Sequence, residues 1–209
     1  MNAKQGYLLI VEDDPDIRKL LDTALTFAGY RVVAAPNGRE GLEFIQRERP
    51  AIVITDIMMP KLDGFGLVHR LRINPETRDI PVIFITATYV APEDRDFSLN
   101  IGATRFLQKP VDMNEFLTMV AELLQQGAHA SNELLEDSNF YDGYRKRLET
   151  KLDQKNRQIA RDELLQGVRL DEKDQSLQVS LHQAISEREE IKYLLNQIHK
   201  QIEQPPAPE

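Results

Sequence analysis

The sequence contains no cysteine, which excludes disulfides and thiolate metal sites and suits a reducing compartment. No apolar run approaches the roughly 20 residues that a membrane-spanning helix needs. The opening MNAKQGYLLIVEDD lacks the apolar core of a secretory signal, because acidic residues follow five apolar positions at once. Positive charge is also short. Against 34 aspartates and glutamates stand 26 lysines and arginines, a net charge of -8, which argues against a broad basic surface for nonspecific nucleic-acid binding. From Gly127 onward there is no strand-like run, and no proline until Pro205. These absences point to a soluble, cytoplasmic protein of 209 residues, enough for one ordinary domain and an appendage.

Up to about residue 126, short apolar runs alternate with longer amphipathic ones. The strand candidates are Tyr7 to Val11, Arg31 to Ala35, Ala51 to Thr55, Val82 to Thr86 and Arg105 to Leu107. The second, third and fourth are β-branched and almost continuously apolar, as expected of strands covered on both faces. Between them, Ile17, Leu20, Leu21, Ala24 and Leu25 form a helical stripe closed by Gly29. Leu42 and Ile45 mark a second helix, and Leu67, Val68 and Leu71 a third. Asp112 with Glu115 reads as a capping box ahead of Phe116, Leu117, Val120 and Leu124. Five β-α repeats with short loops predict an α/β fold, a doubly wound five-stranded parallel sheet over residues 1–126. Such sheets bind ligands beyond the carboxyl ends of their strands.

Residues 127–203 read as a helical, coiled-coil extension. Leu177, Leu181, Ala184, Arg188, Ile191, Leu195, Ile198 and Ile202 repeat at spacings of four and three, a seam with one polar member. Upstream, Tyr144, Leu148, Leu152 and Ile159 keep helical character, which Gly143 and Gly167 are expected to interrupt. A homodimeric coiled coil is the favoured expectation, and a long helix packed back on the first domain the alternative. The final QPPAPE, residues 204–209, reads as a disordered tail.

The fold brings particular groups together. Glu12, Asp13 and Asp14 follow the first strand, Asp56 the third; Thr86 ends the fourth, and Lys109 lies just past the fifth. Carboxylates gathered at one sheet edge repel one another and favour a hard divalent cation such as Mg²⁺. With Lys109 and the Thr86 hydroxyl they supply what a phosphoryl group needs while transferring to a carboxylate.

LLIVEDDPDIRKLL, VITDIMMPKLDGFGL, VIFITA and RFLQKP, in that order, resemble the CheY-like receiver domain of two-component response regulators, over about Tyr7 to Gln126. The resemblance implies that Asp56 is the phosphoacceptor, taking a phosphoryl group from a sensor histidine kinase or phosphotransfer protein. It further implies that Asp13 binds Mg²⁺, with Glu12 contributing directly or through water and Met58 through its backbone carbonyl. Asp14 falls one place past the family's acidic pair and reads as a helix cap. Lys109 would contact a phosphoryl oxygen, with the Lys109–Pro110 peptide cis. Thr86 and Phe106 match the switch pair that remodels the face of helix four, strand five and helix five. Met58 and Thr88, each two residues past a site residue, flank the path of attacking water and would tune phosphoryl lifetime. The segment between Thr86 and Lys109 runs one residue longer than the commonest family spacing.

The residues also bear on three other readings. A phosphatase with an aspartyl nucleophile would carry a second aspartate two places on, where Met58 stands. A receiver of this kind is not an enzyme beyond its own phosphorylation and dephosphorylation. His182 and His199 lie in a stretch loosely similar to a sensor-kinase helix, but surface histidines are the plainer reading. Because no DNA-binding unit is evident, the chain reads either as a regulator with a coiled-coil output or as the receiver fragment of a longer hybrid kinase or other effector enzyme.

Overall fold

The computed structural model of the chain describes residues 6–87, 92–126, 137–168 and 175–203. Five short runs pair in parallel, in the order β2-β1-β3-β4-β5. They are β1 (Leu8–Val11), β2 (Val32–Ala35), β3 (Ile52–Thr55), β4 (Val82–Thr86) and β5 (Arg105–Gln108). Alternate side chains leave each strand on opposite faces. One set, including Leu8, Ile10, Ile54, Ile83 and Ile85, builds a core with Leu21 and Leu25 of α1 (Pro15–Phe27) and Phe116 and Val120 of α5 (Met113–Gln126). On the other face lie α2 (Gly38–Arg47), which packs on β1, and α3 (Gly64–Ile73), whose Phe65 meets Phe84 of β4 edge to face at 5.5 Å. Phe65 also meets Phe97 of α4 (Pro92–Asn100), at 5.2 Å. Each fully buried side chain of this size contributes roughly 1.5–3 kcal/mol.

Two expectations need correction. β2 is only half-buried along most of its length, whereas β1, like β3 and β4, is buried throughout. The apolar run of β2 reflects β-branched packing on an edge strand, because the strand order puts β1 between β2 and β3. Leu20 belongs to the α1 stripe by spacing, yet it is 54% exposed. Leu21 and Leu25 are the fully buried residues of that helix, and Ile17 packs partly buried beside them.

The chain divides into two compact units between Leu135 and Glu136. The second is a pair of long helices, α6 (Asp137–Val168) and α7 (Gln175–Glu203), packed side by side. Lys155 pairs with Glu187 at 2.5 Å, and the Ser180 hydroxyl donates to Asp162 at 3.2 Å, so the two helices run antiparallel. Ala184, Ile191, Leu195 and Ile198 of the seam are buried, as are Phe140, Tyr144, Leu148 and Ile159 of α6. The α7 seam is therefore covered from within the same chain. Gly143 and Gly167 do not interrupt α6; a helical glycine costs about 1 kcal/mol, less than the packing along this interface supplies. The proline-rich tail lies outside the described residues.

Candidate functional site

The carboxyl ends of β1 and β3 meet where the Asp56 N–H donates to the Val11 carbonyl at 2.9 Å. That contact places Asp56, 8% exposed, beside Glu12, 1% exposed. Carboxylate oxygens of Glu12, Asp13 and Asp56 all lie within 4.8 Å of one another. Lys109, just past β5, sits among them: its Nζ is 2.9 Å from Glu12 Oε2 and 3.1 Å from Asp56 Oδ2. The other Asp56 oxygen, Oδ1, accepts from the Ile57 N–H at 2.7 Å.

The electrostatics follow from this crowding. Burial, then the neighbouring Asp56 charge, pushes the Glu12 carboxyl up to about 7, against the pull of Lys109. Burial also raises the Asp56 and Asp13 carboxyls. Burial alone would lower the Lys109 ammonium, but Asp56 and Glu12 outweigh it and the net shift is upward. One lysine against three carboxylates leaves the pocket short of positive charge. An all-oxygen donor set with excess negative charge fits a hard divalent cation.

Asp14 takes the other role expected of it. Its carboxylate caps α1, accepting from the Asp16 and Ile17 N–H groups at 2.8 and 3.1 Å. Thr86 is fully buried at the end of β4, and its carbonyl accepts from the Lys109 N–H at 2.9 Å. Phe106 is half-buried on β5, opposite Phe84 in register. It lines a surface groove of about 430 Å³ with Pro92, Arg95, Gln108 and Pro110. The Lys109–Pro110 peptide is cis. Met58 is half-buried in the turn after Asp56, whereas Ile57 and Met59 are fully buried. Thr88 lies outside the described residues.

Sequence reasoning missed the parts that seat the loop after Asp56. A Cβ on Gly64 would come within 2.2 Å of the Asp56 carbonyl oxygen, and the Gly64 N–H donates to the Ile57 carbonyl at 2.8 Å. A Cβ on Gly38 would lie 2.6 Å from the Leu62 carbonyl oxygen. In sequence the Asp63-Gly64 pair is a local turn signal and nothing more; the close approach of Gly64 to the strand end is a tertiary fact. Arg18, one charge among several on α1, also went unremarked. Its Nη1 donates to the Glu12 and Asp13 carbonyls at 2.7 and 3.1 Å.

Comparison with known proteins gives a consistent picture. A family model described as the response regulator receiver domain matches residues 8–121. Over 115 residues the chain is 41% identical to a 14.6 kDa protein in the sodA1 3' region of Leptolyngbya boryana, covering 55% of this chain and 87% of that one. Over 134 residues it is 36% identical to a probable transcriptional regulator, ycf27, of Porphyra purpurea, covering 64% of this chain. It spans about half the length of that regulator, 54%. A crystal structure of a putative response regulator from Chloroflexus aurantiacus is 33% identical with a TM-score of 0.55, covering 58% of this chain and 99% of that one.

Proposed function

Over residues 8–121 the chain belongs to the response regulator receiver family, and on that footing we propose that Asp56 accepts a phosphoryl group from a sensor histidine kinase or phosphotransfer protein. The observation that carries this reading is the convergence of Glu12, Asp13, Asp56 and Lys109 at one sheet edge. Glu12, Asp13 and Asp56, with the Met58 carbonyl, are the groups that would hold Mg²⁺. A bound Mg²⁺ offsets carboxylate charge and the charge on phosphoryl oxygens.

The remaining work belongs to the chain itself. An Asp56 carboxylate oxygen attacks the phosphorus of a phosphohistidine; the O–P bond forms as the N–P bond breaks, and the imidazole leaves with the bonding electron pair. Asp56 Oδ1 is already oriented by the Ile57 N–H. Lys109 exchanges its contact with Asp56 Oδ2 for one with a phosphoryl oxygen. The Thr86 hydroxyl then donates to the phosphoryl group, a charge-assisted bond worth roughly 1.5–3 kcal/mol. That is enough to reweight two conformations a few kcal/mol apart. Phe106 follows Thr86 inward, reshaping the groove it lines.

The protein acts in the cytoplasm as a signalling component and turns over no external substrate. Residues 1–126 form the receiver and 127–203 the output, ending in the tail at 204–209. The output is homodimeric. Since α6 covers the α7 seam, the dimer contact uses outer faces, where Leu164, Val179 and Tyr193 are exposed. No described helix is long and apolar enough to cross a membrane.

The test is incubation with acetyl phosphate and Mg²⁺. Uptake of one base-labile phosphoryl group, lost in Asp56→Ala, is expected. Labelling that survives Asp56→Ala, or continuous phosphate release, would overturn the assignment. Light scattering with and without beryllofluoride tests the output; a monomer in both states removes the dimer.

A further inference from the structure

At the end of β1 the backbone leaves the sheet. The Glu12 N–H still donates to the Ala35 carbonyl at 3.1 Å, but the next carbonyls are met by a side chain. Arg18 Nη1 bridges the Glu12 and Asp13 carbonyls at 2.7 and 3.1 Å, and the Arg18 N–H donates to the Asp14 carbonyl at 2.9 Å. The last of these is the first bond of the helix itself; the side chain holds the two carbonyls before it, and the loop between strand and helix closes on itself. A guanidinium suits this task because it stays charged and presents several donors in a rigid plane.

We infer that Arg18 is a positioning residue, holding the Glu12–Asp13 backbone so that both carboxylates face Asp56 in a geometry ready for Mg²⁺. The inference rests on the metal reading given above. Glu12 supports it from the other side: its Oε1 accepts from the Asp14 N–H at 3.4 Å while its Oε2 holds Lys109. Backbone and side chain of the first acidic residue are both tied down before any metal arrives.

Arg18 also brings a positive charge close to the pocket, and that effect has the opposite sign. A nearby cation opposes a dication, whereas fixed ligand geometry favours it. Removing Arg18 therefore separates the two. If its charge dominates, Mg²⁺ binds more tightly without it; if its grip on the carbonyls dominates, Mg²⁺ binds more weakly.

Isothermal titration of Mg²⁺ into the full chain decides the matter, with thermal melts of the metal-free proteins alongside. Arg18→Gln is expected to weaken Mg²⁺ binding about tenfold or more, the range for lost outer-shell support of metal ligands. Arg18→Lys, which keeps the charge without the planar donor set, falls between. Equal or tighter binding by Arg18→Gln overturns the inference, as does a lowered melting temperature with unchanged Mg²⁺ affinity. If Arg18→Gln does not fold, Arg18→Lys decides alone, and unchanged affinity there overturns it. A wild-type chain that takes up no Mg²⁺ overturns the metal reading together with this one. Uptake by wild type, equalled by the variants, removes only the role of Arg18.

Discussion

A methyl group on Gly64 would stand 2.2 Å from the Asp56 carbonyl oxygen and 2.9 Å from the Ile57 Cα. Both obstacles are backbone, so neither can rotate away. Gly64→Ala is expected to push the acceptor loop off the strand end and cost roughly 1–3 kcal/mol, the usual range for overpacking. Denaturant unfolding measures that loss, and acetyl phosphate labelling should fall with it. A variant that labels at the wild-type rate would show that the acceptor is not seated by this contact.

Glu12 predicts an unusual pH dependence for the metal-free protein. Burial raises its folded-state value from 4.5 to about 7. Between those values the folded chain keeps a proton that the unfolded chain releases, so the stability this group contributes at low pH is lost as pH rises. The full effect is on the order of 3 kcal/mol. Thermal melts in chelator from pH 5 to 8 should show a falling midpoint, and Glu12→Gln should flatten the slope.

Lys109→Met removes the ammonium that pairs with both Glu12 and Asp56. Phosphoryl uptake from acetyl phosphate is expected to drop at least tenfold, the scale of one charge-assisted contact to a transferring group. Single-turnover labelling at saturating Mg²⁺ checks this. Unchanged rates would mean that Lys109 has no part in the transfer.

Met58 beside the acceptor offers bulk but no hydrogen bond to attacking water. Met58→Asn should shorten the lifetime of the phosphorylated protein, read as faster loss of label after the donor is removed. Equal decay in the two proteins would dismiss Met58 as a shield.

The helical pair makes a contrast of its own. Both lie on α6, yet Leu148 is fully buried, whereas Leu164 is 69% exposed. Leu148→Ala should cost about 2–5 kcal/mol and Leu164→Ala within about 0.5 kcal/mol. Helical circular dichroism followed through chemical denaturation distinguishes them.

Much of the receiver was legible because its signals are local. Strand runs such as IVIT and the Asp14 cap depend on neighbours in sequence, and the acidic residues follow directly from where the strands stop. What was not legible depends on tertiary placement. The apolar spacing of α7 announced a partner, but nothing in that spacing separates a second copy from α6 of the same chain. Leu20 fits the stripe of α1 as well as Leu21 does, and only the sheet decides which is covered. Gly64 looks like any glycine after an aspartate until the Asp56 carbonyl is placed above it. The Arg18 guanidinium donates its hydrogen bonds to the Glu12 and Asp13 carbonyls, so no pairing of side-chain types could flag that role.

The bond from Lys109 to Glu12 spans 97 residues. During synthesis the ribosome delivers Glu12, Asp13 and Asp56 well before Lys109, and a chain stopped short of β5 carries these carboxylates without the ammonium that pairs with Glu12 and Asp56. Charge compensation by Lys109 thus arrives late in translation, after the fifth strand has joined the sheet. A prematurely terminated product would carry the three carboxylates without the lysine that pairs with two of them.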